Sequence, residues 1–283
     1  MGILNLNGDS FFAESRTSGD DAVSRACQMW ADGADVVDLG ACSTRPGSAQ
    51  PSLEEEWSRL QPVLTTLSYT KSAPSVYQPR ETGLSYTKPA PSVYELRISI
   101  DTYRAEIVRR AYEMIGPFLV NDISAGEMDR EMLPTVGRLG LPYVAMHMRG
   151  TPETMQSLTD YDDVVAEIIR YFREFEKKAA DAGIPEWILD PGFGFAKTME
   201  QNYELLRRLG EVKEAFSQEI LVGLSRKSMI YKLLGITPEE ALPATQVLNH
   251  AALERGATWL RVHDVLPAVH TARLYSSLGY STM

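Results

Sequence analysis

The sequence contains few cysteines, no long apolar run and no concentration of basic residues. Its two cysteines, Cys27 and Cys42, form neither a disulfide framework nor a zinc-binding spacing, which predicts a reduced, cytoplasmic protein. No stretch of 18 apolar residues occurs, and the N-terminus has no charged segment followed by an apolar one, so membrane spanning and secretion are disfavoured. Basic residues are spread along a chain of net charge −10, and nucleic-acid binding is therefore not expected.

Short apolar runs recur along the chain, each followed by a polar or glycine-rich corner and a longer amphipathic stretch. Eight runs begin at Gly2, Ala34, Arg97, Phe118, Pro142, Trp187, Ile220 and Thr258. Apolar runs separated by helical segments predict parallel β-α-β units, because parallel neighbours need crossover connections. Eight units predict an α/β fold with a single (β/α)8 TIM barrel over residues 1–283, with an open doubly wound sheet as the alternative.

The best helical pattern lies at Tyr161–Ala182. Gly183 is expected to end this helix, and Pro185 prevents its continuation. The predicted buried face keeps the three- and four-residue spacing of an amphipathic helix and consists of Val164, Val165, Ile168, Ile169, Phe172 and Phe175.

A duplicated segment interrupts the pattern before the third strand. LSYTKSAPSVY at Leu67–Tyr77 recurs as LSYTKPAPSVY at Leu84–Tyr94. The segment is rich in Pro, Ser and Tyr, which predicts extended or mobile backbone over residues 67–94. In a barrel this connection lies opposite the strand C-termini, so we interpret it as a tolerated surface insertion, with a partner-docking segment as the alternative.

Polar side chains follow the apolar runs in phase. In a barrel the C-terminal ends of the strands converge on one mouth, so these residues should be neighbours. Gathering so many ionisable groups costs free energy unless ligands or partners compensate, which favours a small-molecule site. The residues are Asn5, Asp38, Asp101, Asn121, Asp122, His147, Asp190, Ser225, Arg226, Lys227, Arg261 and His263.

The chemistry of this mouth indicates a ligand with two different ends. Arg45, Arg261 and His263 suit a doubly charged oxyanion, and the turn STRPG around Arg45 offers hydroxyls, N–H groups and a guanidinium. A second set suits the edge of a flat aminopyrimidinone, because carboxylates accept from its N–H groups and an ammonium donates to its carbonyl. That set is Asp101, Asn121, Asp190 and Lys227. Together the two ends match a pterin diphosphate.

The ordered motifs of the chain resemble those of dihydropteroate synthases. The matching motifs are MGILN with DSF, STRPG, SIDT, NDIS, MHMRGTPETMQ, DPGFGF, GLSRK and RVHD, from Met1 to about Ala272. One of them alone would be weak, but all in order make chance agreement implausible. The resemblance implies an enzyme that condenses 6-hydroxymethyl-7,8-dihydropterin diphosphate with p-aminobenzoate, releasing diphosphate. It also implies a homodimer and inhibition by sulfonamides.

The resemblance implies a role for each matching residue. The catalytic residues would be Asp101, Lys227, Arg261 and His263. The pterin would be bound by Asp101, Asn121, Ile123, Met146, Asp190, Phe195 and Lys227. The diphosphate would be held by Asn5, Thr44, Arg45, Arg261 and His263, with Asn5 acting through Mg²⁺. The p-aminobenzoate subsite would comprise Thr44, Pro46, Phe195, Ser225 and Lys227, and a mobile loop would carry Asp9, Ser10 and Phe11.

Some positions depart from the family pattern. The first loop carries Asn7-Gly8 in place of Thr-Pro and Ala13 in place of an acidic residue, so its role in turnover does not transfer directly. Cys42 is expected to be a small structural residue, with a reactive thiol as the alternative. His147 is expected to be a hydrogen-bonded strand-end residue, with a metal ligand as the alternative. The competing functions are a pterin-dependent methyltransferase domain and a non-catalytic pterin-binding paralogue.

Overall fold

The computed structural model describes residues 1–6, 19–42, 50–71 and 97–279, and within these it contains eight strands and ten α-helices. The strands are β1 (Gly2–Asn5), β2 (Val37–Gly40), β3 (Ile98–Asp101), β4 (Leu119–Asp122), β5 (Tyr143–Met146), β6 (Trp187–Asp190), β7 (Leu221–Val222) and β8 (Trp259–Leu260). The helices are α1 (Gly19–Ala31), α2 (Leu53–Lys71), α3 (Ala105–Ile115), α4 (Met132–Leu139), α5 (Val164–Ala182), α6 (Met199–Arg207), α7 (Leu209–Ala215), α8 (Ser228–Leu234), α9 (Leu242–Glu254) and α10 (Val265–Ser277).

The strands close into a barrel. β1 to β6 pair in parallel in the order of the sequence, and β7 pairs in parallel with β8. A bridge from Leu189 to Ile220 joins β6 to the segment before β7, and a bridge from Gly2 to Val262 joins β1 to the segment after β8. The last strand is thereby returned to the first, which confirms the predicted TIM barrel and excludes the open sheet.

Two layers of side chains follow one another inside the barrel. The lower layer is an apolar cluster of Met1, Val36, Leu119, Val144, Ile188, Leu221 and Trp259. Side chains two residues apart on a strand point to the same face. Two residues further along their strands the sequence has Ile3, Asp38, Asn121, Met146, Asp190, Gly223 and Arg261. The apolar layer therefore forms the floor beneath a predominantly polar layer at the mouth.

The helix predicted at Tyr161–Ala182 is confirmed as α5, although it begins three residues later, at Val164. The carboxylate of Asp163 accepts hydrogen bonds from the backbone N–H groups of Val165 and Ala166, so Asp163 is the N-cap. At the other end Gly183 adopts a left-handed conformation with φ 71°, as a C-cap glycine does. No helix among the described residues is long and apolar enough to cross a membrane.

The duplicated segment is only partly described. Its first five residues, Leu67–Lys71, form the last turn of α2, and the side chain of Leu67 is buried in the core. The predicted extended backbone is therefore wrong for 67–71, because Leu67 continues the apolar face of a helix that includes Leu60 and Leu64. Residues 72–94 of the segment lie outside the described residues.

Candidate active site

The mouth of the barrel holds two groups of charged side chains. We call the first the arginine cluster, consisting of Asp38, Asp101, Asn121 and Arg261. We call the second the lysine cluster, consisting of His147, Asp190, Lys197 and Lys227. The two clusters meet at Gly223, where a Cβ atom would lie 4.0 Å from both the Cβ of Arg261 and the Nζ of Lys227.

The arginine cluster is built by strands distant in the sequence. The Nε of Arg261, just past β8, donates to the Oδ2 of Asp38 on β2 at 2.7 Å. Its Nη2 donates to the Oδ2 of Asp101 on β3 at 2.7 Å. The Nδ2 of Asn121 on β4 donates to the same Oδ2 of Asp38 at 2.9 Å. Barrel closure is what brings these side chains together, as the sequence predicted for Asp101, Asn121 and Arg261.

Burial changes the titration of Asp101 in this cluster. Burial raises the pKa of Asp101 to about 7, and although Arg261 acts to lower it, the nearby carboxylate of Asp38 adds to the rise. One guanidinium faces two carboxylates here, so the free site can relieve repulsion by taking up a proton on Asp101.

The lysine cluster surrounds the turn that follows β6. The Nζ of Lys197 lies 3.0 Å from the Nδ1 of His147 and donates to the carbonyl oxygens of Gly192 at 3.0 Å and Phe195 at 3.1 Å. The Nζ of Lys227 donates to the carbonyl oxygen of Phe193. The two lysines thus hold three carbonyl groups of one turn, and the predicted hydrogen-bonding role of His147 is confirmed.

Buried ammonium groups in this cluster lose affinity for their protons. Burial lowers the pKa of Lys227 to about 8 and that of Lys197 to about 7, against the opposing charge of Asp190. Burial likewise raises the pKa of Asp190, against the opposing charge of Lys227. The two lysines therefore reduce the positive excess of their cluster, as Asp101 reduces the negative excess of the arginine cluster, whereas the shift of Asp190 acts in the opposite direction.

The backbone conformation of the turn 190–197 requires glycine at position 192. Gly192 has φ +71°, and a Cβ there would lie 2.0 Å from the carbonyl oxygen of His147. Any side chain at Gly192 would force the turn away from β5. The backbone N–H of Gly192 also donates to the Oδ1 of Asp190 at 2.8 Å, which fixes the rotamer of that carboxylate.

An apolar wall lies beside the clusters. Ile123, Met146 and Phe195, which were predicted to contact the pterin, belong to one contiguous cluster. The other members are Met128, Met148, Met155 and Ala196. The ring of Phe195 also lies 4.8 Å from the Nζ of Lys227, a cation–π distance. The structure therefore joins the predicted wall to the lysine cluster.

Three further predicted residues lie at the rim. A Cβ on Gly40 would lie 3.5 Å from the Oδ1 of Asn5 and 3.6 Å from the Cβ of Asp101, so Asn5 borders the arginine cluster. The Oγ of Ser225 lies 3.0 Å from the Nδ1 of His263 and accepts from its backbone N–H at 3.2 Å. The predicted residues Asp9, Ser10, Phe11, Thr44, Arg45 and Pro46 lie outside the described residues.

Sequence reasoning missed the network behind Asp101. The buried Glu56 accepts a hydrogen bond from Thr102 at 2.7 Å and pairs with Arg104. Arg104 also donates to the Sγ of Cys42 at 3.6 Å and to the carbonyl oxygen of Pro51 at 2.5 Å. Burial raises the pKa of the Cys42 thiol, which fits the structural role predicted for it. The sequence carries no signal for Glu56, because the capping interaction at the start of α2 is made by the neighbouring Glu55 with Ser52.

Comparisons with known proteins agree with this geometry. The family model described as "Pterin binding enzyme" matches residues 1–75 and 87–263. The fold and the site thus define a pterin-binding barrel enzyme. The dihydropteroate synthase of Escherichia coli (strain K12) is 39% identical over 277 residues, covering 97% of this chain and 89% of that protein. The chain belongs to the dihydropteroate synthase family, and its function is that of a transferase of this family.

Solved structures give the same result. The Yersinia pestis dihydropteroate synthase, in a complex with a sulfonamide drug, matches with a TM-score of 0.85 at 32% identity over 99% of this chain and 94% of that one. The Xanthomonas albilineans dihydropteroate synthase with 4-aminobenzoic acid matches with a TM-score of 0.82 at 33% identity over 99% and 93%. These likenesses favour the synthase over the methyltransferase alternative.

Proposed function

We propose that the two clusters bind 6-hydroxymethyl-7,8-dihydropterin diphosphate and that the site condenses it with p-aminobenzoate to 7,8-dihydropteroate and diphosphate. The observation that carries the proposal is the convergence of Asp101, Asn121, Asp190, Lys227 and Arg261 at one mouth, above an apolar floor. Acceptors, an ammonium and a guanidinium within one pocket match both ends of this substrate.

The pterin ring would lie between the clusters. Asp101 and Asp190 supply carboxylate acceptors for N–H groups, Asn121 supplies an amide, and the ammonium of Lys227 donates to the ring carbonyl. Phe195 closes one face of the pocket beside Lys227. Asn121 and Asp190 are buried, and Asp101 and Lys227 are partly buried, so the hydrogen bonds that a ligand makes to them are shielded from water.

The diphosphate would bind toward the rim. Arg261 supplies a guanidinium and His263 an imidazole, and Thr44 and Arg45 of the STRPG turn would add a hydroxyl and a second guanidinium. As the bond from the pterin methylene carbon to the diphosphate oxygen breaks, its electron pair leaves with the diphosphate. These donors stabilise that developing charge, which is where electrostatic catalysis acts most strongly.

The amine of p-aminobenzoate completes the substitution. Its nitrogen lone pair forms the new bond to the methylene carbon, and the nitrogen then loses a proton. Phe195, Ser225 and Lys227 border the subsite that would hold the ring, together with Thr44 and Pro46. Holding the two reactants in line supplies a large part of the rate advantage. We also propose that sulfonamides compete at this subsite, since the Yersinia pestis relative was solved with such a drug.

The residues present fit a magnesium ion at the diphosphate end. Asn5 carries its amide oxygen at the end of β1, beside Asp101. Mg²⁺ prefers oxygen ligands and usually keeps waters and substrate phosphates in its remaining positions. An ion held by Asn5 and the diphosphate would neutralise charge on the leaving group.

We further propose that two copies of the chain associate through α8, α9 and α10. Six of the seven exposed large apolar side chains among the described residues lie on or next to these helices: Leu233, Leu234, Val247, Leu266, Leu274 and Leu278. Light scattering should give twice the 31.5 kDa chain mass. Val247→Glu should reduce the dimer, whereas Leu158→Glu, which changes the seventh residue, should not. A monomeric parent protein would refute the proposal.

The direct test is to mix the two substrates with and without Mg²⁺ and to measure dihydropteroate and diphosphate together. Equal amounts of both products, formed faster with Mg²⁺, are expected. Arg261→Ala should raise the KM for the pterin diphosphate more than that for p-aminobenzoate, because its guanidinium lies at the pterin-diphosphate end. Binding of the pterin diphosphate without product would instead identify a non-catalytic pterin-binding protein.

A further inference from the structure

We propose that Asp38 is a positioning residue that sets the orientation of Asn121 and Arg261 and so links recognition of the pterin to that of the diphosphate. This inference rests on the proposed function. Asp38 is fully buried on β2, directly above the apolar floor residue Val36. From the sequence, Asp38 was identified only as a polar residue at a strand end, and no specific role was predicted for it.

A single oxygen atom of Asp38 collects donors from two distant strands. Its Oδ2 accepts from the Nδ2 of Asn121 at 2.9 Å and from the Nε of Arg261 at 2.7 Å. The Nη2 of Arg261 also lies 2.7 Å from it. Asn121 and Arg261 are 83 and 223 residues away in sequence, so this oxygen joins β4 to the end of β8.

The contact decides which atom of Asn121 is offered to a ligand. An amide has one donor group and one acceptor group. Because Nδ2 donates to Asp38, the remaining oxygen is an acceptor for a ring N–H. Without the carboxylate the amide can rotate by half a turn, and an NH2 group would then face the N–H groups of an aminopyrimidinone.

The same contact positions Arg261. Asp38 holds its Nε while Asp101 holds its Nη2, so the guanidinium is fixed between two carboxylates at the junction of the clusters. Loss of Asp38 would leave Arg261 with Asp101 as its one carboxylate partner in the arginine cluster. The guanidinium would then be drawn toward the pterin acceptor and away from the geometry that suits the diphosphate.

A purely structural role for Asp38 makes a different prediction. A buried carboxylate that serves packing alone would change the melting temperature when replaced and would affect both substrates alike. A positioning role predicts a selective effect on the pterin diphosphate, because Asn121 and Arg261 both serve that substrate and the p-aminobenzoate subsite is built by other residues.

The experiment compares Asp38→Asn with Ser99→Ala in steady-state kinetics on the full chain. Ser99 is the register partner of Asp38 on β3, is equally buried, and its Oγ has no hydrogen-bond partner among the described residues. Asp38→Asn should raise the KM for the pterin diphosphate and the inhibition constant of diphosphate about tenfold each, the effect of weakening hydrogen bonds to a charged group. The KM for p-aminobenzoate should stay within about twofold, and Ser99→Ala should match the parent.

A double-mutant cycle with Asn121→Ala tests whether Asp38 acts through Asn121 or whether the two substitutions impair binding independently. The effect of Asp38→Asn on the pterin KM should shrink in the Asn121→Ala background, and full additivity would overturn the proposal. Equal changes in the two KM values, or a lowered melting temperature with unchanged KM values, would overturn it as well.

If Asp38→Asn does not fold, Asp38→Glu replaces it in the same assay. It retains the charge but displaces it by one methylene, and it should again raise the KM for the pterin diphosphate selectively. An unselective effect of Asp38→Glu would overturn the proposal. A parent protein that forms no product contradicts the proposed function itself, whereas an active parent with unselective Asp38 variants contradicts this inference alone.

Discussion

The arginine cluster and the lysine cluster differ in the sign of the formal charge that their ionisable side chains leave unbalanced. The first places one guanidinium among two carboxylates, and the second places two ammonium groups beside one carboxylate. Burial raises the pKa of Asp101 to about 7 in the first and lowers that of Lys227 to about 8 in the second. Neither balance suits a closed core, because uncompensated buried charge is costly. Placed side by side, they suit a ligand that spans both.

The lysine cluster should be the more sensitive to loss of a carboxylate. Asp190→Asn removes the negative charge that offsets the cost of burying the ammonium groups of Lys197 and Lys227. It also removes a predicted pterin acceptor. We expect kcat/KM to fall about 100-fold, on the order of a lost charged hydrogen bond at a buried site. Steady-state kinetics test this, with Asp181→Asn on the exposed end of α5 as control. A fall similar to that of the control would show that Asp190 does not serve the pterin.

Lys197 supports the turn that follows β6, and no contact with the substrate is predicted for it. Lys197→Met removes the donor shared by the carbonyl oxygens of Gly192 and Phe195 and by the ring of His147. We expect about a tenfold loss of kcat/KM and a lower melting temperature, since buried acceptors lose their partner. Lys178→Met, at an exposed lysine, is the matched control. Unchanged kinetic constants with a lower melting temperature would show that Lys197 contributes to the stability of the fold and not to activity.

The raised pKa of Asp101 predicts a pH-dependent stability. The folded state holds the proton more tightly than the unfolded chain, so this group stabilises the fold fully below pH 3.8. The contribution is lost as pH rises to about 7. Relative to the parent, Asp101→Asn should therefore gain stability between pH 4 and 7 and change little above. Denaturant unfolding at several pH values measures this. A stability difference that is constant with pH would show that Asp101 titrates normally.

A cap remote from both clusters provides the smallest expected effect. Asp163→Ala removes the N-cap of α5 and its pairing with Arg208, which should cost about 1 kcal/mol of the free energy of unfolding. Asp162→Ala, one residue earlier, serves as the control. Kinetic constants should be unchanged in both. A tenfold loss of activity on Asp163→Ala would mean that general stability limits turnover. The losses of activity predicted for the cluster variants could then not be assigned to particular side chains.

Much of the site was predictable from its periodicity. Apolar runs ending in polar residues identified all eight strands, and parallel closure then required Asp101, Asn121, Asp190 and Arg261 to share one mouth. The start of α5 was placed too early because Tyr161 continues the apolar pattern. The capping carboxylate of Asp163 sets the boundary instead.

The pairings within the mouth were not predictable. Nothing in the sequence distinguishes the contact of Arg261 with Asp38 and Asp101 from a contact with phosphate, since both are oxyanions. Lys197 was missed because a lysine after a glycine-rich turn usually reaches solvent. Its burial depends on the close approach of Gly192 to the carbonyl of His147, which is a three-dimensional property.

The most direct test of this account is a crystal structure of the protein with the pterin diphosphate bound. The account predicts that the ring lies between the clusters, contacting Asp101 and Asn121 on one side and Asp190 and Lys227 on the other, with the diphosphate toward Arg261 and His263. A ring that contacts one cluster alone, or that binds away from the mouth of the barrel, would contradict it.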